Sequence, residues 1–167
     1  MALITKDFFH YSTPNGSPGF QLWQVYGLWH RAVNKALAPC QLTHAQFLLL
    51  ASLQQLSKMN KVITQVDLAN HATLDVMSTS KALRLLASKL LIERNASESD
   101  QRSKTISLTA EGEKVLKTAT KILTRTEIAF FTALRKEKHL IKFSEYLQGI
   151  IDFSTEELII TQVEESN

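Results

Sequence analysis

Between Gly19 and Leu37 the chain carries apolar side chains on nearly every face of a helix. Phe20, Leu22, Trp23, Val25, Tyr26, Leu28, Trp29, Ala32, Val33 and Leu37 leave no continuous polar stripe. A helix that is apolar all round must be buried all round. In a chain of 167 residues, one side is expected to meet the chain's own core and the other a second subunit. Five Gly and three Pro are few breakers for this length, which favours long helices over a many-turned β fold. The longest apolar runs, Phe47–Ala51 and Ile128–Phe131, are far too short for a membrane span. Met1 to Phe9 lacks the basic start and apolar stretch of a secretory signal. The expectation is a cytoplasmic protein with no membrane partner.

The rest of the chain punctuates itself. Tyr11 to Pro18 is a loop-forming stretch, so residues 1–18 read as an N-terminal arm. Pro39 ends the first helix. Thr43-His-Ala-Gln46 is a capping box opening a second helix, and Thr64-Gln-Val-Asp67 is a weaker one opening a third, short helix. Val62 and Ile63 between them form a very short extended piece. After a turn at residues 72–74, Asp75 (or Thr73) caps a fourth helix running to about Lys89. Val76, Thr79, Leu83, Leu86 and Leu90 fall within about 80° of one another at about 100° per residue, which predicts its inner face. The period then changes. Leu91–Arg94 and Lys104–Leu108 read as two short strands around the polar stretch 95–103, a hairpin with a long tip. Thr109 caps a long helix to about Leu134, striped by Val115, Leu116, Ala119, Ile122, Leu123 and Phe130. A last helix carries Leu140, Phe143, Leu147, Ile150 and Ile151 at helical spacing.

Helix, short strand, helix, turn, helix and hairpin is the order of a winged helix-turn-helix, in which one helix enters the major groove and the hairpin touches the neighbouring backbone or minor groove. The fold expected is mainly α with a small β-hairpin wing. Residues 39–108 would form the DNA-binding lobe, and residues 19–38 with 109–163 a helical dimerisation region. Charge agrees with that division. Net charge is +2 over residues 1–57, +3 over 58–104 and −2 over 105–167, placing the attraction for a polyanion in the first two-thirds.

The wing carries the most specific pattern: Leu91-Ile-Glu-Arg94, then Asp100-Gln-Arg102, then Leu108-Thr-Ala-Glu-Gly112 six residues after Arg102. Together with Leu42-Thr43, Gln46-Phe47 and Thr64-Gln-Val-Asp-Leu-Ala69, it resembles the MarR (multiple antibiotic resistance regulator) family over roughly residues 19–134. The resemblance implies a homodimeric, sequence-specific DNA-binding transcriptional regulator, an effector-responsive repressor, with double-stranded DNA and a small aromatic effector as partners. It also implies that Asp100 holds an arginine in position. Two departures stand out. Family members commonly have Gly where this chain has Leu90, so the recognition helix is expected to run on or turn differently here. Gln101 replaces a second wing arginine.

Opposite the inner face of the fourth helix project Met77, Lys81, Arg84, Leu85 and Ser88, with Ser78 and Ser80 near its N-terminus. Met77, Ser78, Ser80, Lys81 and Arg84 are the candidate base and phosphate contacts. Arg102 at the wing tip would enter a minor groove, where narrow A·T segments concentrate negative potential. Asp100 belongs to the same candidate surface, and Arg94 and Lys104 flank the hairpin as phosphate contacts. Trp23, Tyr26, Trp29 and His30 with Phe47 form an aromatic set. Core and dimer packing is their simplest role, and the resemblance adds Trp23, Tyr26, His30 and Phe47 as effector-binding residues.

Catalysis finds no support. His10, His30, His44, His71 and His139 have no metal-ligand spacing, and there is neither a phosphate-cradling Gly-rich loop nor a nucleophile elbow. No cofactor or metal is expected. The single cysteine, Cys40, excludes an intramolecular disulfide and, with no cationic neighbour in sequence nearer than His44, reads as an inert thiol. Two alternatives stay open: a winged-helix module that binds protein through Met77 and Leu85, and a redox sensor acting through Cys40.

Overall fold

The computed structural model describes residues 17–59, 62–96 and 104–165, with side chains left aside for Ala96, Lys104 and residues 155–165. Helix α1 (Pro18–Leu37) is followed by a 3₁₀ turn (Ala38–Cys40), α2 (His44–Ser57), α3 (Gln65–His71) and α4 (Val76–Ser88). Then come strands β1 (Ile92–Ala96) and β2 (Lys104–Leu108), α5 (Ala110–Phe131), a second 3₁₀ turn (Thr132–Leu134) and α6 (Glu137–Glu165). The chain divides into two compact units, one ending at Thr126 and the other beginning at Glu127.

Side-chain caps start α2, α3, α4 and α5. Both capping boxes form. Thr43 Oγ1 accepts from Gln46 N while Gln46 Oε1 accepts from Thr43 N, and Thr64 and Asp67 repeat the exchange. Asp75 rather than Thr73 caps α4, its carboxylate accepting from Ser78 N at 2.8 Å. Each cap satisfies backbone donors that have no partner inside the helix. Thr109 Oγ1 does the same for Gly112 N at the start of α5.

Packing then decides which faces are covered. Val33 and Leu37 of α1, Leu49, Leu50 and Leu53 of α2, Leu68 of α3, Leu83 and Leu86 of α4, Ile92 and Ile106 of the strands, and Leu116 and Ala119 of α5 make one core. The N-terminal half of α1 does not join it. Among the described residues, Leu22, Trp23, Val25, Tyr26 and Leu28 are exposed, whereas Val33 and Leu37 in the C-terminal half of the helix are buried in the core of the first unit.

The strands pair antiparallel with Ile92 opposite Leu108 and Ala96 opposite Lys104. The short piece at Val62-Ile63 attaches to them, because Ile63 O accepts from Ile106 N at 3.0 Å. In the second unit, Arg135 takes a left-handed conformation after the 3₁₀ turn, and Phe131 meets Phe143 of α6 at 6.2 Å between ring centres.

Two sequence expectations about α4 need correction. Thr79, Leu83 and Leu86 are buried as predicted, but Val76 is 54% exposed and Leu90 is 74% exposed. The predicted stripe was too long at both ends: Val76 is the first residue of α4 and Leu90 lies past its last, Ser88. Nor does the helix run on where glycine is usual. Leu90 adopts φ 58°, Leu90 N donates to Ala87 O and Leu91 N to Leu86 O. This is a Schellman closure built on a leucine, at a position glycine would occupy without strain. Thr73 closes α3 in the same way, with φ 53° and bonds from Thr73 N to Asn70 O and from Leu74 N to Ala69 O.

Candidate nucleic-acid interface

Helix α4 is held by its buried face and by both ends. Asp75 caps the start, and at the far end the Lys89 ammonium donates to the carbonyl of Gln41 and to Gln46 Oε1. Lys89 is thereby committed to the loop before α2. Opposite the buried Thr79, Leu83 and Leu86, the residues Met77, Lys81, Arg84 and Ser88 follow the i, i+4, i+7, i+11 spacing of one helix stripe, and all four are exposed. Met77 is 85% exposed. Arg84 Nη2 donates to Ser80 Oγ at 3.2 Å, and Ser88 Oγ donates back to Leu85 O. Ser80 is half-buried, while Ser78, the donor to the Asp75 cap, is exposed. Among the described residues Lys81 has no carboxylate partner. The Ser78 hydrogen bonds hold the Asp75 carboxyl below its ordinary range, so it stays anionic where the positive end of the α4 dipole lies.

The wing is placed by the chain on either side of it. Leu90 O accepts from Thr109 Oγ1 at 2.7 Å and Leu91 O from Thr109 N at 3.2 Å, which pins the end of α4 to the start of α5. Gly112 makes the approach possible, since a Cβ there would lie 2.0 Å from Leu91 O. The glycine of the Leu-Thr-x-x-Gly pattern is therefore a packing requirement. Arg94 is half-buried on β1, with Nη2 donating to Gln65 Oε1 at 3.4 Å at the first turn of α3 and Nε buried without a partner among the described residues. Sequence reasoning missed Gln65, which is 29 residues from its partner and follows no local spacing rule. Lys104 begins β2. Asp100 and Arg102 lie outside the described residues.

The aromatic residues separate into three environments. Trp23 stacks on Phe20 at 5.9 Å near the exposed end of α1, and Phe47 is in the core. Tyr26 stacks on His30 at 5.4 Å, His30 meets His44 at 5.8 Å, and His44 meets Trp29 edge-on at 4.8 Å. Asn34 ties these helices together, donating to His30 O at 2.8 Å and accepting from His44 N at 2.9 Å. Burial and the neighbouring His30 push the His44 pKa below the ordinary histidine value. Trp29 Nε1 is buried with no hydrogen-bond partner among the described residues. His44 and Trp29 are the members of this cluster absent from the sequence-derived effector set. Their juxtaposition arises from the crossing of α1 and α2, so no spacing signals it. Cys40 ends the first 3₁₀ turn, half-buried.

Comparison with known proteins gives a consistent picture. The MarR family profile matches residues 42–104. The chain is 39% identical over 139 residues to the uncharacterized HTH-type transcriptional regulator YdcH of Bacillus subtilis, covering 83% of this chain and 95% of that protein. Among solved structures, a mutant MarR of E. coli complexed with operator DNA superposes with TM-score 0.69 at 22% identity, covering 79% of this chain and 91% of the other. BpsR of Bordetella bronchiseptica, whose DNA binding is regulated by 6-hydroxynicotinic acid, gives TM-score 0.75 at 18% identity, with 86% and 97% covered. The Mycobacterium tuberculosis MarR family protein Rv2887, in complex with salicylic acid, gives TM-score 0.63 at 26% identity, with 80% and 95% covered.

Proposed function

Because this chain belongs to the MarR family of DNA-binding transcriptional regulators, we propose that it works as a homodimeric, effector-responsive repressor that reads a pseudo-palindromic site through α4. The observation that carries this reading is the exposed stripe of Met77, Lys81 and Arg84 on a helix anchored along its opposite face. Helix N-terminal residues reach base edges in this motif, and its cations suit phosphates. Met77, Ser78, Ser80, Lys81 and Arg84 are proposed as the major-groove set, Arg102 and Asp100 as the wing set, and Lys104 as a phosphate contact. Arg94, tied to Gln65, is proposed to steady the hairpin against α3 as well as to meet phosphate. The role is binding rather than catalysis, and its place is the cytoplasm.

The second copy is proposed to cover Leu22, Trp23, Val25, Tyr26 and Leu28, since each apolar side chain taken from water contributes roughly 1.5–3 kcal/mol. A folded monomer at micromolar concentration in sedimentation would contradict this. The proposed effector is a small aromatic acid, the class to which the salicylic acid of Rv2887 and the 6-hydroxynicotinic acid that regulates BpsR belong, seated at Tyr26, Trp29, His30 and His44, where the Trp29 N–H lacks a partner among the described residues. Trp23 and Phe47 would border that site.

The test is selection of bound sequences from a random duplex pool, then binding of the parent and the Lys81→Ala, Arg84→Ala and Arg102→Ala variants across a salt series. Two half-sites about 10 base pairs apart are expected. Loss of a phosphate contact should weaken selected and random duplex alike and reduce the salt slope by roughly one unit. Arg102→Ala should weaken binding most where A·T-rich sequence flanks the half-sites. A parent that binds neither duplex at low salt, or Lys81 and Arg102 variants indistinguishable from it on both, would overturn the reading.

A further inference from the structure

We propose that Met77 is a specificity-determining residue that packs its thioether side chain against the C5-methyl group of a thymine in the major groove of each half-site. The inference rests on the DNA-reading function above and names what one position on α4 recognises.

Three polar side chains on or beside α4 already have partners. The Asp75 carboxylate is engaged by Ser78 N at 2.8 Å, the Arg84 guanidinium by Ser80 Oγ at 3.2 Å, and the Ser88 hydroxyl by Leu85 O at 2.9 Å. Met77, in the first turn of α4, is 85% exposed and lies on the same stripe as Lys81 and Arg84. Those two cations draw the stripe toward a phosphate-lined groove, and a recognition helix presents its first turn to the bases there. From Met77 to Arg84 the helix rises about 10 Å, so the two side chains reach different base pairs.

Docking therefore takes an apolar, unbranched side chain out of water against a base edge. Methionine has no donor and only a weak sulfur acceptor. Against the N7 and O6 acceptors of guanine it would leave buried acceptors without partners, which is penalised. In the major groove of unmodified DNA the apolar group is the thymine methyl. Against that group Met77 recovers the burial of a methyl-sized surface, worth about four-fold in affinity per contact.

The experiment replaces each thymine of the selected duplex, one symmetric pair at a time, by deoxyuridine. That change removes the methyl and preserves base pairing. Parent, Met77→Ala and Met77→Leu are titrated against each duplex, and against random duplex as a control. Thermal melts check that the variants stay folded, as expected for so exposed a side chain. In the parent, one symmetric thymine pair should show a loss of about four-fold per methyl on replacement. With Met77→Ala that loss should vanish at that pair alone, Met77→Leu should retain part of it, and affinity should fall less for random duplex than for the selected duplex in both. Parent binding that is indifferent to every deoxyuridine, a selected half-site without thymine, or a deoxyuridine effect that persists in Met77→Ala would each overturn the inference while leaving DNA binding intact. A parent that selects no sequence would overturn the function itself and this inference with it.

Discussion

Replacing Gly112 by Ala should destabilise this protein, although alanine is the better helix former. At Gly112 a Cβ would sit 2.0 Å from Leu91 O, 3.0 Å from Leu91 C and 3.3 Å from Leu108 Cδ2. Ordinary contact begins near 3.4 Å, so α5 and the Leu90-Leu91 backbone must part by about 1.4 Å. Neither is free to move. Leu90 O and Leu91 O are held by Thr109 Oγ1 and Thr109 N, and Leu91 and Ile92 are buried in the core. Overpacking of this kind costs about 1–3 kcal/mol, and the two strained hydrogen bonds add about 0.5–1.5 kcal/mol each. Helix propensity returns about 1 kcal/mol. The net expectation is a loss of about 1–5 kcal/mol, read as a lower urea midpoint at unchanged m-value. Gly149 of α6 supplies the opposite case, because a Cβ there meets nothing within 4 Å among the described residues. Gly149→Ala should leave stability unchanged or raise it by up to about 1 kcal/mol. If Gly112→Ala matched the parent or moved in the same direction as Gly149→Ala, the close approach of α5 to Leu91 would be wrong.

Leu90→Gly should act in the reverse sense. It relieves about 1–2 kcal/mol of left-handed strain against about 0.5–1 kcal/mol of added chain entropy, and the side chain it removes is largely in water. A rise in melting temperature is expected, and a fall would show that the leucine side chain holds the wing. Stability should also fall with acidification. The folded His44 pKa lies below the unfolded value of about 6.5, so below that pH the unfolded chain takes up a proton that the folded chain resists. Folding weakens from about pH 6.5 downward with a slope no steeper than about 1.4 kcal/mol per pH unit from this group. Urea midpoints between pH 8 and 5 should therefore drop less in His44→Gln than in the parent, and equal drops would remove His44 as the cause.

What the sequence alone determined is what short-range chemistry determines. Thr43 with Gln46, Thr64 with Asp67, Asp75 with Ser78 and Thr109 with Gly112 are all hydrogen-bonded across three residues, the first two pairs reciprocally. They set where helices begin whatever surrounds them, and with the period change at β1 they made the winged order legible. The outward stripe of α4 was equally readable, because helical geometry places Met77, Lys81 and Arg84 opposite Thr79, Leu83 and Leu86 in any environment. Tertiary structure decided the rest. Leu90 turns left-handed because the chain must reverse into β1 while its carbonyl meets Thr109. The guanidinium of Arg94 turns toward Gln65, and His44 meets Trp29 and His30, because elements far apart in sequence cross at those points. Apolar periodicity showed which faces of α1 could be buried, whereas the elements packed against it in the first unit determined that Val33 and Leu37 are the residues of α1 that enter the core.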